Sequence, residues 1–312
     1  MPSDAWTAAD LPDQSGRTYI VTGGNSGLGF EAARALARKR AHVVIACRNP
    51  AKADAALAAI RQQQADADIV SASLDLAKLA SVRKFAEGFA GEHAALHGLL
   101  NNAGVMAIPR RTTDDGFEMQ LGTNHLGHFA LTGLLLELLL ATAGSRVVNV
   151  SSTAHWGGRI HFGDLQRERS YGKWTAYGQS KLANLLFTYE LQRRLSAKGC
   201  DSLAVAAHPG YAATNLQAVG PQMSESSLMQ KAMELMNRVA AQTAEMGTLP
   251  TLYAATAPDV AGGDYYGPAS LFQTRGHPTK VRSSKASHDP EIAHRLWEAS
   301  ERLTGVRFEL LA

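Results

Sequence analysis

Short β-branched apolar runs alternate along this chain with segments whose apolar residues recur every three or four positions. "TYIVTGG" (18–24) is a compact apolar run that ends in glycines, which predicts a buried strand. "FEAARALARKR" (30–40) has helical spacing, with basic residues in its last turns, where they complement the helix dipole. The alternation continues with a strand at 41–48, a helix at 50–64 opened by Pro50, a strand at 68–76, a helix at 79–93 and a strand plus turn at 96–104. A long helix is predicted over 117–140, a strand over 145–152, a helix from 176 to about 197 and a sixth strand over 202–210. Residues 217–246 read as Met-rich and helical, "DYYGP" (264–268) follows a short apolar helix, and 288–304 reads as a final amphipathic helix.

Strict alternation of strand and helix implies parallel βαβ units. Right-handed crossovers then give an α/β fold, a Rossmann-type doubly wound parallel sheet with helices on both faces. No linker-like stretch or internal repeat interrupts it, so residues 17–312 are expected to form one domain behind an N-terminal extension, 1–16. In such sheets ligands bind beyond the carboxyl ends of the strands. Function should therefore cluster near 22–29, 47–49, 75, 102–105, 151–153 and 208–215.

Composition narrows the picture. Hydrophobic residues make up 45% of the 312, enough for a large core. A net charge of +3 without any long Lys/Arg block does not imply nucleic acid. Cys47 and Cys200 lie far apart, with no CxxC or Cys/His ligand spacing, so neither a disulfide framework nor a zinc site is expected. Cys47 lies in an apolar run and reads as a core residue. The N-terminus lacks a signal-peptide pattern, and the most apolar run, 131–140, contains Glu137 and is half the roughly 20 residues a membrane span needs. These features predict a soluble, cytoplasmic protein with no transmembrane segment.

Two patterns carry candidate chemistry. "TGGNSGLG" (22–29) places Gly23, Gly27 and Gly29 between the first strand and the first helix. Residues without Cβ allow a tight turn there, and a pyrophosphate can approach the N–H groups at a helix N-terminus. About 20 residues further on, a cofactor lacking a 2′-phosphate calls for Asp or Glu on its ribose. This chain instead has Arg48 and Asn49, with Lys52 nearby. Arg offers a fork of donors suited to phosphate, so NADP(H) is expected over NAD(H); the plain alternative is a solvated charge at a strand end. The second pattern is Tyr177 and Lys181, four apart on one helical face. Such pairs are also ordinary helix-surface neighbours.

Taken in order, "TGGNSGLG", "LDL" (74–76), "NNAG" (101–104), "NVSS" (149–152), "YGQSK" (177–181) and "HPG" (208–210) resemble the short-chain dehydrogenase/reductase family over roughly residues 17–216. "TNHLGHF" (123–129), residues 163–187 and "RLWEASERLTG" (295–305) resemble its retinol-dehydrogenase-like and WW-domain-oxidoreductase-like members. The resemblance implies a catalytic set of Asn124, Ser152, Tyr177 and Lys181, with Ser152 favoured over its neighbour Ser151. It implies a cofactor site built from Gly23, Asn25, Ser26, Gly27, Leu28, Gly29, Arg48, Asn49, Asp75, Leu76, Asn102, Ala103, Gly104, Tyr177, Lys181, Pro209, Gly210 and Thr214. Ser152 and Tyr177 are 25 apart, a wider gap than in many family members, so 153–173 must loop out.

What the resemblance implies chemically gives the Tyr/Lys pair a purpose. A free phenol titrates near ~10, and a nearby ammonium, helped by the positive charge of an oxidised nicotinamide, lowers that value. Tyr177 then exchanges a proton with the substrate oxygen, Ser152 holds that oxygen, and Asn124 helps to hold a water beside Lys181. The substrate expected is a small hydrophobic carbonyl or alcohol. The rival reading is a non-catalytic NADP(H)-binding sensor or interaction module on the same fold.

Other features have plainer readings. His125 and His128 are spaced i, i+3 but lack a third ligand, so they are expected to pack beside the cofactor pocket and no metal is expected. His155 and Trp156 read equally as pocket lining or as packing, and His208 as a residue that turns the chain. Residues 217–250 read as an apolar substrate lid. The helices at 117–140 and 176–197 carry more apolar surface than one sheet face needs, which suggests a homodimer or homotetramer.

Overall fold

The predicted strands form, each a little shorter than its apolar run because the terminal glycines and polar residues turn the chain. The computed structural model describes residues 5–211 and 242–312. Its elements begin with β1 (Thr18–Thr22), α1 (Gly27–Arg38), β2 (His42–Cys47), α2 (Pro50–Gln63), β3 (Ile69–Ser73), α3 (Leu79–Glu92) and β4 (Gly98–Asn101). A broken helix follows, as α4 (Met119–Leu121), a π-turn (Gly122–Leu126), α5 (Gly127–Leu134) and α6 (Leu136–Ala141). Then come β5 (Arg146–Val150), α7 (Lys173–Ala197), β6 (Leu203–Ala207), α8 (Ala244–Thr256), β7 (Tyr265–Pro268), β8 (Pro278–Lys280) and α9 (Pro290–Thr304).

The strands make one sheet in the order β3-β2-β1-β4-β5-β6-β7-β8. All neighbours are parallel except β8, which returns antiparallel beside β7 at the edge. Its first residue is Pro278, tolerated because an edge strand has a side that needs no donor. One apolar layer packs α1 and α8 on a sheet face, with Leu36, Leu252 and Ile45 fully buried. The other face packs α3, α5 and α7, with Leu99, Phe129 and Leu131 fully buried. Strand order reverses between β1 and β4, so a crevice opens beyond their carboxyl ends.

Three regions differ from the sequence reading. The single helix expected over 117–140 is broken by the π-turn Gly122–Leu126, next to Gly127, where a Cβ would lie 2.5 Å from the carbonyl oxygen of Leu76. Residues 244–250, read as the end of a lid, start the core helix α8, and Thr248 donates to the Leu28 carbonyl at 3.1 Å; residues 217–241 of that lid lie outside the described residues. The surplus apolar surface on α5 and α7 is covered by the chain itself. Trp297 of α9 and Phe308 of the tail close on Phe129 and Phe187, with the Phe129–Phe308 ring centroids 4.9 Å apart. That surface therefore supplies no argument for a homodimer or homotetramer.

The extension also packs rather than trailing away. Leu11 is buried in the core, and Trp6 meets the Tyr253 ring edge-on at 5.1 Å. No helix among the described residues is long and apolar enough to cross a membrane.

Candidate active site

A cavity of about 480 Å³ lies beyond the ends of β1 to β4. Every glycine-loop residue expected to hold a cofactor lines it: Gly23, Asn25, Ser26, Gly27, Leu28 and Gly29. So do Arg48, Asn49, Asp75, Leu76, Asn102, Ala103 and Gly104. Gly23 adopts φ +66°, which favours glycine. At Gly29 a Cβ would stand 2.4 Å from the Gly23 carbonyl oxygen and 2.5 Å from Asn102 Nδ2, so the loop folds against itself only because both are bare. Thr22 anchors the wall: Asn102 and Ala103 donate their N–H groups to its Oγ1 at 2.9 and 3.0 Å.

The far end of the cavity is basic. Arg48 is exposed, and neither Arg48 nor Lys52 makes a side-chain hydrogen bond or ion pair among the described residues. Asn49 caps α2 by accepting the Lys52 N–H at 3.1 Å. Cys47, expected in the core, is buried but also faces the cavity, and burial pushes its thiol pKa up.

The Tyr177 corner is assembled from distant segments. α7 buries Tyr177 and Lys181, 5% and 3% exposed. Lys181 Nζ donates to the Val150 carbonyl at 3.0 Å, which ties α7 to the end of β5. The two serines that follow separate cleanly. Ser151 Oγ donates to the Lys181 carbonyl at 2.9 Å, so it braces the helix. Ser152 Oγ caps the next turn by accepting the Ala154 N–H at 3.2 Å, and its hydroxyl acts on the Tyr177 phenol.

Burial pushes the Tyr177 phenol up to about 12, opposed only by the Ser152 hydroxyl. Burial also lowers the Lys181 ammonium to about 8. The expected lowering of the phenol by Lys181 is thus overridden within the chain: desolvation outweighs an ammonium 5.7 Å from the ring centroid.

Asn124 sits on the π-turn, a break that sequence spacing does not announce, though such turns recur at functional sites. Its Oδ1 accepts the Val105 N–H at 2.8 Å, and its Nδ2 donates to the Val105 carbonyl and to Ser180 Oγ, each at 2.9 Å. The side chain thus clamps the cavity wall to α7 beside Gly104, where a Cβ would stand 3.0 Å from Asn124 Oδ1 and 3.7 Å from Lys181 Nζ. Below it, His128 Nδ1 donates to the Asn124 carbonyl at 3.0 Å and its Nε2 meets Thr22 Oγ1 at 2.9 Å. His128 therefore joins the corner to the wall, held neutral by burial with its pKa lowered to about 4.

Of the expected cofactor residues, Tyr177, Lys181, Pro209 and Gly210 do not line the cavity, and Thr214 falls outside the described residues. His208 does turn the chain: its Nδ1 accepts the Gly210 N–H at 3.2 Å and its Nε2 donates to Gln273 at 3.0 Å. Residues 153–173 loop out through two short 3-10 turns, as the wide serine–tyrosine gap requires. Val105 falls in the stretch 102–105 where function is expected, whereas Met119 on the wall carries no sequence signal; Thr123 on the wall and Ser180 beneath Asn124 stand inside the sequence motifs but have no role assigned to them there. Among the described residues no group of three or more His, Cys, Asp or Glu could hold a metal ion.

Comparison with known proteins follows the same lines. The family model described as short chain dehydrogenase matches residues 17–224. Human retinol dehydrogenase 12 is 42% identical over 97% of this chain and 90% of its own length. Human retinol dehydrogenase 13 is 41% identical over 93% of this chain and 85% of its own. A crystal structure of an uncharacterized protein from Mycobacterium paratuberculosis is 44% identical, superposes with a TM-score of 0.80 and covers 97% of this chain and 99% of that one. The Pseudomonas aeruginosa RhlG/NADP complex shares the fold at a TM-score of 0.62 and 23% identity, over 80% of this chain and 94% of that one. With its parallel sheet, its glycine loop and these relatives, the chain belongs to the short-chain dehydrogenase/reductase family of nicotinamide-dependent oxidoreductases, in the retinol-dehydrogenase-like branch.

Proposed function

We propose that the protein is an NADP(H)-dependent oxidoreductase acting between a hydrophobic carbonyl and its alcohol. The observation that carries this is the pairing of buried Tyr177 and Lys181 on α7 behind the cavity-lining Gly104, where a Cβ would stand 3.7 Å from Lys181 Nζ, with the Ser152 hydroxyl acting on the phenol. The cavity fits the cofactor because the backbone at Gly23 and Gly29 is bare, and because Arg48 and Lys52 offer two unengaged cations. When bound, the nicotinamide supplies or accepts the hydride.

The chain's residues handle the proton and the charge. A phenol held near 12 stays protonated at neutral pH, so Tyr177 can donate to the oxygen of a carbonyl as charge develops on it. The Ser152 hydroxyl, which acts on that phenol, holds the same oxygen. Lys181, fixed on Val150, adds a positive field nearby. Asn124 holds Val105 and α7 in register around Gly104. The names of the relatives favour a long apolar alcohol or aldehyde of the retinoid kind as substrate.

The test is the initial rate of NADPH oxidation with retinal, decanal and an aromatic ketone, with NADH as control, in the wild type and Tyr177→Phe. Turnover with NADPH that falls by about 10²–10⁴-fold in Tyr177→Phe, while NADPH still binds, is the expected result. Binding without turnover on the whole panel would favour a sensor instead.

A further inference from the structure

His155 takes no part in the chemistry just described, yet it is fully buried and carries two hydrogen bonds that fix its state. Its Nδ1 lies 2.6 Å from the carbonyl oxygen of Ser152. Its Nε2 lies 3.1 Å from the backbone N–H of Ser284. A carbonyl can only accept and a backbone N–H can only donate, so the ring is neutral, with its proton on Nδ1. These two bonds join the serine turn to the segment after β8, 129 residues away in sequence.

That segment is itself anchored. Val281 donates to the Tyr265 carbonyl at 2.8 Å, and Ser283 Oγ meets Tyr189 Oη of α7 at 2.8 Å. His155 thus spans from Ser152 to a wall fastened on the helix that carries Tyr177 and Lys181.

We propose that His155 is a positioning residue: its neutral ring, held between Ser152 and Ser284, sets where the Ser152 hydroxyl stands against Tyr177. This rests on the reading of Ser152 as the hydroxyl that holds the substrate oxygen. A second ring proton would point an N–H at the Ser284 N–H, donor against donor, and the bridge would open. The groups around the ring do not favour that proton. Tyr265 of β7 meets it edge-on at 5.7 Å, Trp156 lies beside it, and His208 and His288 are the titratable neighbours; none is a carboxylate. Burial holds the His155 pKa below its ordinary value, so the bridge is intact at neutral pH and opens as pH falls.

The experiment compares His155→Phe, His155→Gln, Ser152→Ala and the double variant Ser152→Ala/His155→Phe. It reads kcat and KM against pH with NADPH and the best aldehyde of the panel above, with NADPH binding and melting temperature as controls. His155→Phe should lower kcat about 10- to 100-fold, the scale of a misplaced reacting group, with KM and NADPH binding within about threefold. His155→Gln, whose amide can donate to one partner and accept from the other without titrating, should recover most of that rate and flatten the acid limb. In the Ser152→Ala background, His155→Phe should add nothing.

An equal loss in both backgrounds, or a fully active His155→Phe, overturns the proposal. A fully active Ser152→Ala instead sinks the reading of the serine. If His155→Phe does not fold, the pH profile of His155→Gln decides, and a profile that keeps the wild-type acid limb overturns the proposal. Should no aldehyde turn over, the imidazole nitrogen shifts of His155 decide by themselves. Neutral Nδ1–H at pH 7 is expected, and an Nε2–H tautomer or an imidazolium ends the proposal.

Discussion

On the cavity wall each strand end contributes a short local stretch: residues of 23–29 after β1, 46–49 at the end of β2, 74–77 after β3 and 102–105 after β4. Around Tyr177 the contacts join residues far apart in sequence. Asn124 reaches Val105 and Ser180, Lys181 reaches Val150, and His155 reaches Ser284. The wall combines bare glycine positions with side chains such as Asn25, Arg48 and Asp75. The corner is made of buried polar side chains packed on a histidine, His128, that is held neutral by burial. A wall of the first kind withstands changes in solution conditions that a corner of the second kind does not.

Acid should therefore attack the corner, and with it the whole fold, with the largest effect expected of any test here. His125, His128 and His208 are held neutral by burial, with pKa values lowered to about 3, 4 and 4. His128 lies beneath Asn124 at the corner, His208 lies 5.2 Å from the Tyr265 ring, and His125 packs under α9, where its Nε2 donates to Ser300 at 2.9 Å. A depressed folded pKa stabilises the fold fully above the unfolded value near 6.5, and that contribution is lost as pH falls below it. At pH 5 each histidine costs about 2 kcal/mol relative to pH 8, because only the unfolded chain takes up the proton. Together that is roughly 6 kcal/mol, against a total stability of roughly 5–15 kcal/mol for an ordinary domain. Urea midpoints at pH 8 and pH 5 measure this directly, and equal midpoints would break the distinction between wall and corner.

The same distinction explains what could be read from the sequence. The α/β class and the wall were legible because strand periodicity, the glycine loop and Arg48 are local signals. Tyr177 and Lys181 were legible as a pair because helical spacing brings them together within one element. The break at Gly122–Leu126 was not, since it lies beside Gly127, which packs closely on Leu76, a contact that helical spacing does not show. Nor was the cover of Trp297 and Phe308 over Phe129, which turns an apparently unpartnered helix face into core. Tertiary packing decided both.

A charge change confined to the wall should leave the corner intact and give a smaller, more selective effect. Arg48→Ala removes one of the two cations at the basic end of the cavity. A charge-assisted hydrogen bond contributes roughly 1.5–3 kcal/mol, so the Kd for NADPH should rise about tenfold to a hundredfold. The Kd for NADH should move by less than about threefold, and the melting temperature should hold. Equal weakening of both cofactors, read by fluorescence titration, would show that Arg48 shapes the wall without recognising a phosphate.

The smallest effect should come from the serine that the sequence could not tell from its neighbour. Ser151→Ala removes a buried hydroxyl that donates to the Lys181 carbonyl at 2.9 Å. That carbonyl lies inside α7, so the loss is one neutral hydrogen bond, about 1 kcal/mol of stability, seen as a modest fall in melting temperature. Because Ser151 reaches the helix backbone and Ser152 reaches the phenol, kcat in Ser151→Ala should stay within about threefold of wild type. Ser152→Ala should lose the rate, with a melting temperature that falls by no more than in Ser151→Ala, since it removes one cap on a short turn. A large loss of kcat in Ser151→Ala would mean that bracing the Lys181 carbonyl is itself part of placing the ammonium. The corner would then be coupled more tightly than its hydrogen bonds, taken one at a time, imply.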